Sequence, residues 1–184
     1  MWSLIATWKM AYDGVCQGAE MLKQGINVKD AVEKTVQIVE AEPSFTSVGF
    51  GGLPNEEGTI QLDGAFMDGA TLRFGAVGAV ENIASPVHLA RLLSENEFNC
   101  QLVGKGAKKE AQRLGLQQID LSTELSNSTY LKRKEEMNQE LRSYNDHDTV
   151  GVVGLDQSGH LVAATSTSGL FMKKDGRVGD SPII

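Results

Sequence analysis

The spacing of apolar positions changes several times along the chain, and each change predicts an element. Residues 3–8 form a short run that reads as a strand ending at Trp8. Between 10 and 24, Val15, Ala19 and Leu22 share one helical face, and Gly25 stops that helix. Asn27 can cap a second helix, in which Ala31, Val32, Thr35, Val36 and Val39 return with helical period and Pro43 lies just beyond the end. The pattern then shortens. Residues 58–62 read as a strand after the turn Pro54-Asn55-Glu56-Glu57, and Ala65-Phe66-Met67 and Arg73–Val77 flank a turn at Asp68-Gly69. Pro86 opens a helix through His88, Leu89, Leu92 and Leu93, where its missing N–H costs nothing. Leu102-Val103-Gly104 reads as a brief strand and 105–114 as a helix.

Residues 117–146 are different. The stretch Leu131–Arg142 is crowded with charge and thin in apolar residues, and reads as an exposed helix leading into a flexible connector. Such a connector can be opened without breaking a core. Beyond it, Thr149–Leu155 suits a buried strand, Asp156–Gly159 a four-residue turn, and His160–Thr167 a returning strand, together a β-hairpin. Strands and helices in this order predict an α+β or α/β domain with helices layered on a sheet.

Composition narrows the partners more than the fold. Net charge is −7, with 24 acidic and 17 basic residues, which argues against nucleic acid or an anionic membrane as partner. No window approaches the roughly 18 apolar residues of a membrane helix, and Met1–Trp8 lacks a basic leader, so the expectation is a cytoplasmic protein. Cys16 and Cys100 make neither a metal spacing nor a disulfide framework and are expected to be reduced, buried thiols. No metal or organic cofactor is expected. The 20 glycines cluster beside short apolar runs, which suggests tight turns and close backbone approaches.

The candidate chemistry lies where the charged connector meets the most apolar strand, in Asn145-Asp146-His147-Asp148-Thr149-Val150-Gly151. An Asp-Thr pair at such a junction commonly does no more than bond nearby backbone. A cut before Thr149, however, leaves a threonine whose free α-amine, with a pKa of about 7.7–8.0, is a ready base for its own hydroxyl. The same hydroxyl can make that cut by attacking the Asp148 carbonyl, exchanging amide for ester, with Asp148 and His147 as local acid or base. The hairpin returns Thr167 towards Thr149, so their hydroxyls are expected to be neighbours. Further on, Arg177 and Asp180 form either a salt-bridged turn or a clamp for the α-carboxylate and α-amine of an amino acid.

Taken together, His147–Gly151, Thr165–Gly169 and Gly176–Ile183 resemble the N-terminal-nucleophile asparaginase family, which includes glycosylasparaginases and isoaspartyl peptidase/L-asparaginases. The likeness continues through Asp30–Glu33, Ser47–Pro54, Leu62–Gly69 and Val77–Ile83, so it spans essentially the whole chain. It implies a four-layer αββα sandwich, with 1–148 as an α-subunit region and 149–184 as the start of a β-subunit region. Thr149 would be both autoproteolytic residue and nucleophile, Asp148 and His147 would assist the cut, and Thr167 would support both steps. Arg177 and Asp180 would hold the substrate. Trp8 would lie beside the nucleophile, as in glycosylasparaginases, although Met10 replaces the phenylalanine of that branch.

The substrate implied is a small asparagine derivative, N4-(β-N-acetylglucosaminyl)-L-asparagine, with isoaspartyl peptides or free asparagine as the same-family rival. The assembly implied is an αβ heterodimer after cleavage, with (αβ)2 as a further step. The family pattern continues past Ser-Pro-Ile into a glycine-rich segment and a Thr-Gly-x-Gly segment. The expectation is therefore a sandwich incomplete on its C-terminal side, whose 184 residues are inactive or unstable unless a second chain supplies the rest. A scaffold without catalysis is the rival from a different class.

Overall fold

A computed structural model describes residues 1–138 and 148–183. Six strands form one sheet: β1 (Ser3–Ala6), β2 (Leu62–Asp68), β3 (Arg73–Val80), β4 (Gln101–Val103), β5 (Val150–Leu155) and β6 (Leu161–Thr167). Their order is β1-β5-β6-β2-β3-β4, antiparallel throughout except for the parallel pair β3/β4. Five helices accompany it: α1 (Tyr12–Lys23), α2 (Val28–Glu40), α3 (Pro86–Ser94), α4 (Gly104–Arg113) and α5 (Glu124–Asn138). This is a mixed α+β architecture consistent with the N-terminal-nucleophile hydrolase fold, of which the described residues supply a sheet and the helices against it.

Alternation along the strands decides which face meets the helices. Val150 and Val152 of β5, Val162 and Ala164 of β6 and Phe66 of β2 are buried with Val28, Val32, Val36 and Val39 of α2. A second cluster under α3 and α4 joins Leu62, Val77 and Val80 to Leu89, Leu93, Ala107 and Ala111. Each such aliphatic side chain contributes about 1.5–3 kcal/mol on burial. Tight spacing comes from glycine: a Cβ at Gly154 would lie 2.6 Å from Val32 and 2.8 Å from Val28. The opposite face carries a row that crosses the sheet in register, Ile5, Val153, Ala163, Met67 and Phe74. Ile5 and Val153 are exposed there, at 71% and 44%.

Local chemistry sets the ends of the helices. Asn27 Oδ1 accepts from the Lys29 amide at 2.8 Å to cap α2, and Ser85 Oγ accepts from the His88 amide at 3.3 Å to cap α3. Thr35 Oγ1 donates to Gly14 O at 3.1 Å and to Ala31 O at 2.7 Å, holding α2 against α1. Gly25, at φ 79°, ends the connection out of α1.

Several sequence expectations shift. The first strand stops at Ala6, because Trp8 takes φ 64° and the chain enters a 3-10 turn over Lys9–Ala11. Residues 58–61 are not a strand: Asn55 Oδ1 accepts from the amides of Glu57 and Thr59, which curls the chain before β2. β2 runs through Asp68, so the turn sits one residue later than expected, with Leu72 at φ 57°. The loop between β5 and β6 spans 156–160, closed by the Asp156 amide on His160 O at 3.1 Å. Helix α5 starts at Glu124, well before the charged stretch, and the expected connector over 139–147 lies outside the described residues. Cys100 is half-buried but Cys16 is exposed, correcting the expectation of two buried thiols.

Candidate active site

The site forms where β5 begins, between β1 and β6. β5 is apolar because its helix-facing side chains are buried, and Thr149 is the last residue before its ladder starts. Thr7, just past β1, fixes that start from one side: its Oγ1 donates to Thr149 O at 2.8 Å and accepts from the Gly151 amide at 2.8 Å. Its own amide donates to Gly151 O at 2.9 Å. Gly151 faces Thr7 with only ordinary van der Waals room, since a Cβ there would lie 3.6 Å from the Thr7 methyl.

From the other side comes Thr167, at the end of β6. Its Oγ1 donates to Asp148 O at 3.2 Å, lies 3.3 Å from Ser47 O, and accepts from the Gly169 amide at 3.0 Å. The Ser168 amide also donates to Ser47 O, at 2.7 Å. Thr167 thus reaches the carbonyl that immediately precedes Thr149. The partner of Thr149 Oγ1 is Ser181 Oγ, at 3.3 Å. Ser181 is buried and its carbonyl accepts from Thr165 Oγ1 at 2.7 Å, so β6 positions it.

The segment 168–182 reaches this point because polar groups tie it to the sheet. Asp63, fully buried on β2, accepts from the Ala79 amide at 2.8 Å and from the Gly179 amide at 3.1 Å. Gln61 accepts from the Gly176 amide at 3.0 Å and donates to Asp175 at 2.7 Å. These ties bring Arg177 beside Gly169: a Cβ on that glycine would lie 3.4 Å from Arg177 Nη1. Asp180 is exposed and adjoins Ser181. Among the described residues no ion pair joins Arg177 to Asp180.

Trp8 follows Thr7 and is 63% exposed. Its positive φ is rare for a bulky residue and marks local strain. Asp148 is exposed next to Thr149, and His147 lies outside the described residues. Sequence reasoning missed Thr7 and Lys173, and gave no role to Ser47, Ser181 or Asp63. Lys173 is nearly fully buried and donates to Gln61 O at 3.0 Å. Its pKa is held below the usual lysine value by burial, with Arg177 adding to the shift and Asp63 opposing it. Among the described residues no cluster of three or more His, Cys, Asp or Glu is placed to hold a metal ion.

The arrangement suits acyl transfer. A hydroxyl stands at a strand head, the carbonyl before it accepts a hydrogen bond, and a cationic and an anionic side chain follow on one loop. Comparison with known proteins gives a matching result. The family model described as asparaginase matches residues 6–184. An isoaspartyl peptidase/L-asparaginase of Mus musculus is 43% identical over 172 residues, 91% of this chain and 52% of its own length. An N(4)-(beta-N-acetylglucosaminyl)-L-asparaginase of Elizabethkingia miricola is 36% identical over 182 residues, 98% of this chain and 53% of its own. The human isoaspartyl peptidase/L-asparaginase is 39% identical over 171 residues. The chain spans about half the length of these relatives.

Proposed function

Since the chain belongs to the asparaginase family, we propose that its whole protein is a self-processing amidohydrolase with Thr149 as nucleophile. The observation that carries this is the Thr167 hydroxyl on the Asp148 carbonyl, one bond away from Thr149. That donor is placed to stabilise negative charge on the carbonyl oxygen when Thr149 Oγ attacks its carbon. The C–N bond then breaks, the acyl group moves to Oγ, and water hydrolyses the ester to free Asp148 as a carboxylate and Thr149 as an α-amine. His147, Asp148 and Ser181 are the groups at hand to move the proton in this first cut.

In the second phase the α-amine takes the Oγ proton, directly or through a water, and Oγ attacks the side-chain amide of the substrate. The amine leaves, and water releases L-aspartate from the ester. Arg177 grips the α-carboxylate in a two-pronged contact and Asp180 receives the α-ammonium. The preferred substrate in this reading is N4-(β-N-acetylglucosaminyl)-L-asparagine, because the exposed Trp8 directly follows Thr7, whose hydroxyl bonds the Thr149 carbonyl, and could meet the leaving sugar. A second reading, hydrolysis of β-aspartyl peptides or free asparagine, is favoured by the 43% identity to the mouse isoaspartyl peptidase/L-asparaginase. After cleavage the two pieces remain an αβ heterodimer.

The test is an intact-mass measurement on the protein expressed from its complete gene. Two fragments meeting at Asp148/Thr149 are expected, and a single chain in Thr149→Ala. A wild type that stays whole after prolonged incubation sinks the self-processing mechanism. Turnover of glycosyl-asparagine, a β-aspartyl dipeptide and free asparagine then ranks the substrates.

A further inference from the structure

Lys173 is the buried cation that neither the cut nor the nucleophilic step employs. It is 3% exposed, and burying an ammonium costs several kcal/mol unless hydrogen bonds or an opposite charge compensate. Compensation here is partial. The ammonium carries three donors and makes one hydrogen bond among the described residues, to Gln61 O. The nearby carboxylate, Asp63, favours the charged form, while its two oxygens also accept from the Ala79 and Gly179 amides. A second cation, Arg177, lies close enough to disfavour the charged form of Lys173.

Both cations border Gly169. A Cβ added there would sit 3.0 Å from Lys173 Nζ and 3.4 Å from Arg177 Nη1, and the glycine holds φ 72°. Gly169 in turn bonds through its amide to Thr167 Oγ1, the group on the Asp148 carbonyl. Two positive groups therefore converge on Gly169, whose amide bonds the hydroxyl that reaches the Asp148 carbonyl. If the lysine were only a strut between residue 173 and Gln61, any neutral donor of similar reach would serve, at far lower desolvation cost.

We propose that Lys173 is a positioning residue whose buried charge, acting behind Arg177, selects the free α-carboxylate of the substrate. This rests on the amidohydrolase reading for its substrate, and concerns binding rather than bond cleavage. A second, buried cation beside the first adds attraction for an anion and repels the α-ammonium, so the amino acid enters in one orientation.

The experiment measures calorimetric binding of L-aspartate and of its α-amide to the protein from the complete gene. Lys173→Gln keeps a donor for Gln61 and removes the charge. It is expected to weaken L-aspartate about tenfold and to leave the α-amide within twofold, with KM rising and kcat nearly unchanged for a β-amide substrate. Equal weakening of both ligands, or unchanged binding of L-aspartate, overturns the proposal. Arg177→Gln gives a test that does not need the lysine variant to fold: with Lys173 still in place, L-aspartate should remain favoured over its α-amide at least threefold. Loss of all preference in that variant overturns the proposal as well. A wild type that binds L-aspartate but hydrolyses no β-amide would defeat the amidohydrolase reading alone, while one that binds no L-aspartate defeats this inference.

Discussion

Thr7 satisfies two main-chain groups with one hydroxyl, the Thr149 carbonyl and the Gly151 amide. Thr7→Val removes both bonds, and because they are exposed to water the cost is about 0.5–1.5 kcal/mol each. A lower melting temperature together with slower cleavage is expected, since the same bonds hold Thr149 in place. Thr167→Val removes the donor from the Asp148 carbonyl and should slow cleavage by about 10²-fold, read as fragment appearance over time. A cleavage rate within twofold of wild type would assign the hydroxyl to Ser47 instead. Gly75 tests packing alone. A Cβ there would overlap the Ala90 carbonyl oxygen in α3, so Gly75→Ala should destabilise the fold by about 1–3 kcal/mol or more, measured by denaturant midpoint. None of these side chains announces itself in the sequence in the same way. Thr149 stands out because it heads an apolar strand. Thr7 does not, because its bonds span 142 positions and nothing local distinguishes it from a strand-end threonine.

At the scale of elements, Glu40 joins three of them. Its carboxylate accepts from Ser85 Oγ at 2.5 Å and from the Val87 amide at 3.0 Å, at the start of α3, while its carbonyl accepts from the Phe50 amide at 2.7 Å. That turn leads from Ser47, whose carbonyl faces Thr167. Burial pushes Glu40 from its ordinary 4.5 up to about 7, against the pull of Ser85 and Val87. Between those two values the folded protein holds more protons than the unfolded chain, so stability falls as pH rises from 4.5 towards 7 and levels off above it. The ionisation penalty is on the order of 3 kcal/mol. Glu40→Gln should therefore gain stability relative to wild type at pH 8, with the gap in melting temperature closing by pH 5. A gap independent of pH would show that Glu40 is held by packing alone.

Helices α1 to α3 were legible because their apolar positions follow helical spacing and their caps, Asn27 and Ser85-Pro86, lie where the pattern begins. Helix α5 was placed too late because its early turns carry little apolar signal. The readable sign was Thr123-Glu124-Leu125-Ser126, where Ser126 N–H donates to Thr123 Oγ1 at 3.0 Å and Thr123 N–H donates to Ser126 Oγ at 2.9 Å. That is a reciprocal capping box with serine in the usual Glu/Gln position. The expected strand at 58–62 failed for the converse reason: Ile60 and Leu62 are buried, but Asn55 bends the chain between them and the turn.

Across the whole molecule, the proposed cut falls in the safest place for the sheet. β5 is paired with β1 over residues 152–155 on one side and with β6 over residues 150–155 on the other. Freeing Thr149 removes none of those ladder bonds, so the pieces should stay associated. Native mass spectrometry is expected to show one species and denaturing mass spectrometry two. Separation of the fragments under native conditions would contradict the heterodimer. The site follows from the same arrangement, because strands far apart in sequence meet where β5 begins, and no local pattern reveals that Ser181 meets Thr149.

The strand order has a consequence for biosynthesis. β1 and β2 leave the ribosome early, yet they are not neighbours, and the gap between them is filled only by β5 and β6. Thr149 therefore joins a sheet whose β1 and β2 are already made, and Thr7 and Thr167 can close on it only when β5 and β6 enter that gap. Contacts of such long range form late in folding. On the proposed mechanism, the order of synthesis would thus time the cut: Thr149 meets Thr7 and Thr167 only after the strands on both sides of it exist.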